Sequence, residues 1–324
     1  MAPAAIWLVV FFLAPLVQVV RLSFSADEFG LTAKGWSLGS YTAALGAFLP
    51  NLANSLTIGL LATTVAFLVG VPLAYGISFY GGRRRALLLF LAVAPFLTSY
   101  LVRVISWQTL LGASGPVLGP LKSLGLVGDR FVVMGTSFSV VAGLSYQLIP
   151  FVILPSYAAF QRVDRDLCAA AADLYSGRWG ARGAVLGSVL GLAVGMLAVY
   201  TLSGRRLDLS PTAALALLAF AMVGALVAAS VTESFLHVVL PLSVPGLTAA
   251  GVLTFIPALG DYVNAALLGN VRTQMLGNVI QTKFLTELDY AGAAALSSLL
   301  LAITLAILGL YLHRLRGTAV LDLV

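Results

Sequence analysis

Long apolar runs recur along this chain, each long enough to cross a bilayer, and they narrow the possible folds more than any motif does. A segment inside hydrocarbon must satisfy its own backbone, so each run is expected to be a helix. The runs occupy residues 4–20, 52–80, 86–111, 132–160, 183–202, 212–231, 240–268 and 290–312. Composition agrees with this reading: 60% of residues are hydrophobic, 9% are charged, and the mean hydropathy is +1.03. A soluble domain of this length needs a charged shell that so few charges cannot make. The pI near 9.6 raises nucleic acid as a partner. The basic residues are scattered between apolar runs, however, and lack the aromatic motifs of an RNA-binding surface, so no nucleic-acid partner is expected. The excess charge is assigned to the lipid surface. Cys168 is the sole cysteine, which excludes an internal disulfide and a cysteine metal cluster.

In chain order, residues 4–20 read as a retained span, since no basic segment precedes them and no small-residue cleavage site follows. Residues 21–51 read as a polar loop. The span at 52–80 stops at Gly81-Gly82-Arg83-Arg84-Arg85, a cytoplasmic marker. The next span, 86–111, carries Pro95 and an intramembrane Arg103, and a Gly- and Pro-rich loop follows. The last span stops at His313-Arg314-Leu315-Arg316. With the N-terminus inside, inner loops hold nine basic residues against eight outside, and the inner ones sit closer to span ends. His237 and His313 are too isolated for metal binding or acid–base work.

Between the fourth run, 132–160, and the seventh, 240–268, lies a polar segment that breaks off and resumes. Its first part, residues 164–176, reads Asp164-Arg165-Asp166-Leu167-Cys168-Ala169-Ala170-Ala171-Ala172-Asp173-Leu174-Tyr175-Ser176. An alanine run with acids at its start favours a short helix that membrane solvation does not explain, and such a helix suits a surface gripped by another protein. Its second part, residues 233–246, begins Glu233-Ser234-Phe235-Leu236. Residues 177–232 between them read as an inserted helical hairpin. There Gly183, Gly187, Gly191 and Gly195 give one face a smooth stripe, and Ala214, Ala221, Ala225 and Ala228 give a matching surface.

Asp261 is the leading candidate for a solute path, because an acid inside a span is costly and usually faces a cavity or a partner. Pairing with Arg103, or an outer-end position reached by water, is the structural alternative. Tyr262, Asn264, Tyr146, Gln147 and Trp107 are further candidates for lining the path with polar and aromatic groups. No G-x-x-x-x-G-K-[ST] pattern occurs, so any ATP hydrolysis belongs to another chain.

With residues 177–232 set aside, 164–176 joined to 233–246 resembles the EAA loop of permease subunits in bacterial type I ABC importers. The blocks Phe255-Ile256-Pro257-Ala258-Leu259-Gly260-Asp261-Tyr262-Val263, Leu267-Leu268-Gly269 and Met275-Leu276-Gly277-Asn278-Val279-Ile280-Gln281 resemble the spermidine/putrescine branch. So do Leu101-Val102-Arg103 with Trp107, Gly115-Pro116, Phe12-Leu13-Ala14-Pro15 and Leu22-Ser23-Phe24. Two positions depart from the pattern: Ala169 stands at the family's leading glutamate and Tyr175 at its glycine.

The resemblance implies an all-α integral membrane permease domain over 1–324, with six family spans and the extra hairpin, about eight in all. It implies an ATPase-coupling helix drawn from Asp164, Asp166, Ala169, Ala170, Ala171, Asp173, Leu174 and Tyr175, supported by Glu233 and Phe235. It further implies a cytoplasmic ATPase dimer carrying ATP and Mg, a second permease subunit, and a periplasmic or lipoprotein substrate-binding protein, with no cofactor on this chain. The setting is the bacterial inner membrane and the solute a small cation such as putrescine or spermidine. The rivals are a secondary transporter or channel, which predicts internal inverted repeats that are not visible here, and a permease-like subunit uncoupled by its broken loop.

Overall fold

A computed structural model describes residues 6–7, 9–25, 36–123, 128, 131–164, 166–167 and 238–321. The expected hairpin at 177–232, and with it Ala169, Ala170, Ala171, Asp173, Leu174, Tyr175, Glu233 and Phe235, lies outside the described residues. Among the described residues the regular elements are helical, apart from one isolated antiparallel bridge between Ser25 and Trp36. In order they are α1 (Ala14–Ser23, entered through a π-helical turn Val9–Leu13), α2 (Gly39–Tyr80), α3 (Arg85–Val93), α4 (Tyr100–Leu111), α5 (Leu118–Ser123), α6 (Ser137–Phe160), α7 (Leu240–Leu259), α8 (Val263–Leu268), α9 (Leu276–Thr282) and α10 (Tyr290–Leu321).

Four of these elements contain straight stretches long and apolar enough to cross a membrane: Phe48–Tyr80, Ser137–Phe160, Leu240–Leu259 and Tyr290–His313. A fifth candidate is a pair, Gly82–Leu97 and Tyr100–Leu111, bent by 89°. The chain is therefore a multi-pass membrane protein. Its many exposed Leu, Val and Phe side chains fit lipid or another apolar partner far better than water.

Several expected boundaries move. The helix at the start runs to Ser23 and so includes Arg21. Residues 39–51, expected as loop, form the first turns of α2. The expected straight span 86–111 is broken: a 3-10 turn Ala94–Leu97 contains Pro95, and Thr98 and Ser99 are extended before α4 begins. Proline removes an intrahelical bond and crowds the preceding turn, which gives the break its local cause. The expected span 240–268 ends at Leu259, two residues after Pro257, so Asp261 lies outside a continuous helix. The fourth span starts at Ser137, where Thr136 accepts from the Ser139 N–H and Ser139 Oγ accepts from the Thr136 N–H. This capping box fixes the helix entry. The basic stop at Arg314 and Arg316 falls within α10.

The described residues fall into two compact units. One comprises the chain up to Thr57 with Leu259–Ala266 and Asn270 onward. In it α1 packs on α10, and Ala44, Phe48, Leu276 and Leu296 form a core joined by Leu52, Ile280 and Leu300. The Ser55 hydroxyl accepts from the Leu276 N–H at 2.7 Å, and Asn54 Nδ2 donates to the carbonyls of Arg272 and Gln274.

The other unit comprises Ile58–Ala258 and Leu267–Gly269. Its centre is α6, the most enclosed of the membrane-length helices, with 61% of its apolar window buried against 22% for α10. Ala74, Tyr75, Ile153, Phe160, Val163, Val239 and Leu247 form its core. Gly70 lets α2 approach α6, since a Cβ there would lie 2.8 Å from Val152 Cγ1. Pro150 and Pro155 sit inside α6, and a buried membrane helix tolerates them when neighbours supply replacement partners.

Candidate functional site

Those predicted site residues that are described gather in three places, two of them within one unit and one in the other. The first is the turn between α7 and α8. Asp261 Oδ1 accepts from the Asn264 N–H at 3.0 Å, and Oδ2 accepts from Asn264 Nδ2 at 3.1 Å. A carboxylate three residues ahead of that N–H caps the new helix, offsetting the unpaired donors and positive potential of its first turn. Asp261 is half-buried, Asn264 is fully buried, and Tyr262 is 42% exposed.

The Tyr262 carbonyl accepts from the Ala266 N–H and from Asn278 Nδ2, the latter at 2.7 Å. Asn278 Oδ1 in turn accepts from the Met275 N–H. Gly277 is required beside it, because a Cβ there would lie 2.8 Å from the Gly260 carbonyl. Asn278 was therefore a positioning residue missed as a site candidate. Its signal was present in the block Leu276-Gly277-Asn278, which carries a polar amide in an apolar context.

The second place is the face of α4 against α6. Trp107 and Tyr146 meet edge-on, with centroids 5.7 Å apart and planes at 62°. Gln147 is buried one residue on, and Gln108 Nε2 donates to the Leu267 carbonyl at 2.9 Å. The Leu268 carbonyl accepts from Ser139 Oγ at 2.7 Å and from the Gly135 N–H. The Leu267–Gly269 strip is thus pinned to both α4 and the entry of α6. Asp261, Tyr262 and Asn264 belong to the first unit, while Trp107, Tyr146 and Gln147 belong to the second.

The third place is the exit of α6. Phe160 and Val163 are anchored in the core, and the chain then emerges with Asp164 and Asp166 exposed. Asp164 Oδ1 accepts from the Asp166 N–H at 3.0 Å, a turn of the kind that starts a helix. The root of this turn is buried and its two acids are uncovered. Among the described residues no group of three His, Cys, Asp or Glu side chains is placed to hold a metal.

One further polar cluster shapes the same unit as Asp261. Lys283 Nζ lies 2.7 Å from Asp289 Oδ2 and 3.2 Å from Glu287 Oε2. The Asp289 carboxylate, through its hydrogen bond, raises the Lys283 pKa above the ordinary lysine value, with burial opposing the shift. Asp289 Oδ1 also accepts from the Gly292 N–H and so caps α10.

No family model matches the chain. It is 28% identical over 293 residues to the spermidine/putrescine transport system permease protein PotB of Haemophilus influenzae, an alignment covering 90% of this chain and 84% of that protein. Against the protein of the same description from Escherichia coli the identity is 27% over 293 residues, covering 90% of this chain and 87% of the relative. Among solved structures it is similar to a chain of a bacterial ABC transporter involved in the import of the acidic polysaccharide alginate. The TM-score is 0.63 and the identity 15%, with 97% of this chain and 93% of the other covered, a likeness of fold.

Proposed function

We propose that the chain is a permease subunit of the type I ABC importer kind, of the spermidine/putrescine branch it resembles, and that it carries a polyamine such as putrescine or spermidine across the bacterial inner membrane. The observation that supports this best is the alignment with the Haemophilus influenzae permease over 90% of the chain. A permease subunit is not an enzyme, and ATP and Mg are the business of a partner ATPase dimer. A second permease subunit completes the path, and a periplasmic or lipoprotein binding protein delivers the solute.

The chemistry of each part follows from its setting. Flexible polycations are held by acids and aromatic faces, and a half-buried Asp261 beside an exposed Tyr262 offers both. Asn264 orients Asp261 through two hydrogen bonds. In the other unit, the Trp107–Tyr146 pair and Gln147 offer aromatic and amide groups of the kind that also suit such a solute. The exposed Asp164–Asp166 turn, rooted in the core through Val163, begins the coupling element that transmits ATPase closure to α6.

The test is reconstitution with the ATPase, the second permease and the binding protein. Putrescine-loaded binding protein is expected to stimulate hydrolysis by the assembly containing the intact chain. Stimulation only after deletion of residues 177–232 would mean that the intact chain is uncoupled, and the transport reading would fail.

A further inference from the structure

The start of α4 holds a charge that has no counter-charge among the described residues. Arg103 is 8% exposed, and its Cζ lies 4.9 Å from the centroid of the Phe96 ring and 5.9 Å from that of Tyr100. Side chains on a helix lean toward its N-terminus, and these two rings belong to residues on either side of Ser99 in the chain, the residue at the helix start. The guanidinium is therefore folded back over the opening of a 12-residue helix. Stacking on two rings satisfies its faces but none of its N–H donors. Its Nε is buried and has no hydrogen-bond partner among the described residues. The ion pairs among the described residues both belong to Lys283. No acid occurs anywhere between Glu28 and Asp129, so the neighbouring sequence has no carboxylate to offer.

The helix start beside it is equally open. Ser99 is of a type that caps helices, yet its side chain makes no capping bond, and the Thr98 hydroxyl donates backward to the Pro95 carbonyl at 2.7 Å. The first amides of α4 are thus left without a side-chain acceptor, at the positive end of the helix dipole. An uncapped N-terminus and an unmatched guanidinium at one point make an oxyanion site. On the open side of the same stretch, Leu97 is 72% exposed, Leu101 53% and Val102 56%, a surface suited to acyl chains.

We propose that the break between α3 and α4 binds the phosphate of an anionic phospholipid, held by Arg103 and the first amides of α4. A phosphate with attached acyl chains matches both the charge and the exposed leucines, and in a bilayer it is the anion at hand. The lipid completes the bent segment by supplying the cap and counter-charge that the chain lacks. This inference rests on the membrane-spanning reading alone and is independent of which solute is carried.

The test uses the purified full chain, stripped of lipid in mild detergent, then titrated with phosphatidylglycerol, phosphatidylcholine or inorganic phosphate. Bound lipid is read by native mass spectrometry and stability by thermal midpoint. Phosphatidylglycerol is expected to be retained and to raise the midpoint, with phosphatidylcholine and inorganic phosphate doing neither. Arg103→Gln should lower phosphatidylglycerol retention at least about fivefold, and Arg103→Lys, which keeps the charge but loses the fork, about twofold. The surface variant Arg84→Gln should change retention less than about 1.5-fold. Equal retention of the two lipids, unchanged retention in Arg103→Gln, or an equal loss in Arg84→Gln would overturn the site. If millimolar phosphate protects as well as phosphatidylglycerol, the lipid is not the source of the anion and the proposal fails. Should Arg103→Gln not fold, the Arg103→Lys and Arg84→Gln pair decides it.

Discussion

Two breaks interrupt apolar segments in this protein, and they are built in opposite ways. Both follow a proline, Pro95 in one and Pro257 in the other. After Pro257 the chain supplies its own repairs: Asp261 caps α8, Asn264 holds Asp261, and Asn278 holds the Tyr262 carbonyl. After Pro95 it supplies almost none: Ser99 makes no cap, and a buried arginine rests on aromatic faces. A break with internal partners keeps its geometry without help and can present Tyr262 in a fixed pose. The other break leaves charge unmatched, which in a low-dielectric setting is expensive unless something outside the chain matches it. Similar sequence punctuation thus yields one self-contained turn and one that calls for a ligand.

Breaking the self-contained turn tests the contrast most severely. Asn278→Ala leaves the Met275 N–H without its side-chain acceptor and removes a donor from the Tyr262 carbonyl. Losing buried partners of this kind costs about 1–3 kcal/mol, read as a lowered thermal midpoint in detergent. A midpoint unchanged by the substitution would show that the turn is held by something else.

Asp261→Asn separates capping from charge, because the amide oxygen can still accept from the Asn264 N–H while the second bond, from Asn264 Nδ2, is lost. Expression and assembly should match the parent, while polyamine uptake in reconstituted vesicles falls about tenfold, equivalent to about 1.4 kcal/mol. Uptake equal to the parent would reduce Asp261 to a helix cap. Ser99→Asp runs the experiment in the other direction by giving the break after Pro95 the acid that its counterpart has. A cap and a counter-charge for Arg103 together should stabilise the lipid-free protein by about 1 kcal/mol and remove its response to phosphatidylglycerol. A destabilised variant that still responds to lipid would show that Arg103 and Ser99 do not share one site.

The smallest effect is expected at Lys283, a cation that does have acids. Lys283→Gln should cost less than about 1 kcal/mol, since the pair is partly exposed. Its pH dependence has a definite sign. The raised pKa means that the stabilisation is fully present below the unfolded lysine value and is lost as pH rises through the higher folded one. Thermal midpoints of parent and variant should therefore differ at pH 8 and converge only in strong alkali, beyond about pH 10.5.

Much of the fold was legible from hydropathy and a few motifs. Four of the eight apolar runs coincide with membrane-length helices among the described residues, and the Phe255 to Val263 and Met275 to Gln281 blocks carried the family resemblance. Where the reading missed, the reason lies in what hydropathy measures. A sum over a window does not separate a straight crossing from one bent by 89°, because the same residues are apolar in both. The proline marks where a bond is lost, but neighbouring groups decide whether the helix kinks, ends or continues. Pro150 and Pro155 stand inside an unbroken α6, whereas Pro95 and Pro257 each stand close to a helix end.

The sequence by itself determined the solvent, the helical class and the family resemblance, because these follow from composition, local periodicity and residues adjacent in the chain. Only the tertiary structure decided which polar groups are satisfied and which are not. Asn278 with Tyr262, Gln108 with Leu267, and Ser139 with Leu268 are partnerships across 16, 159 and 129 positions. Within a low-dielectric interior each such bond is worth more than in water and each missing one costs more. The distribution of those partners made Asp261 part of a completed turn and left Arg103 needing an anion from outside.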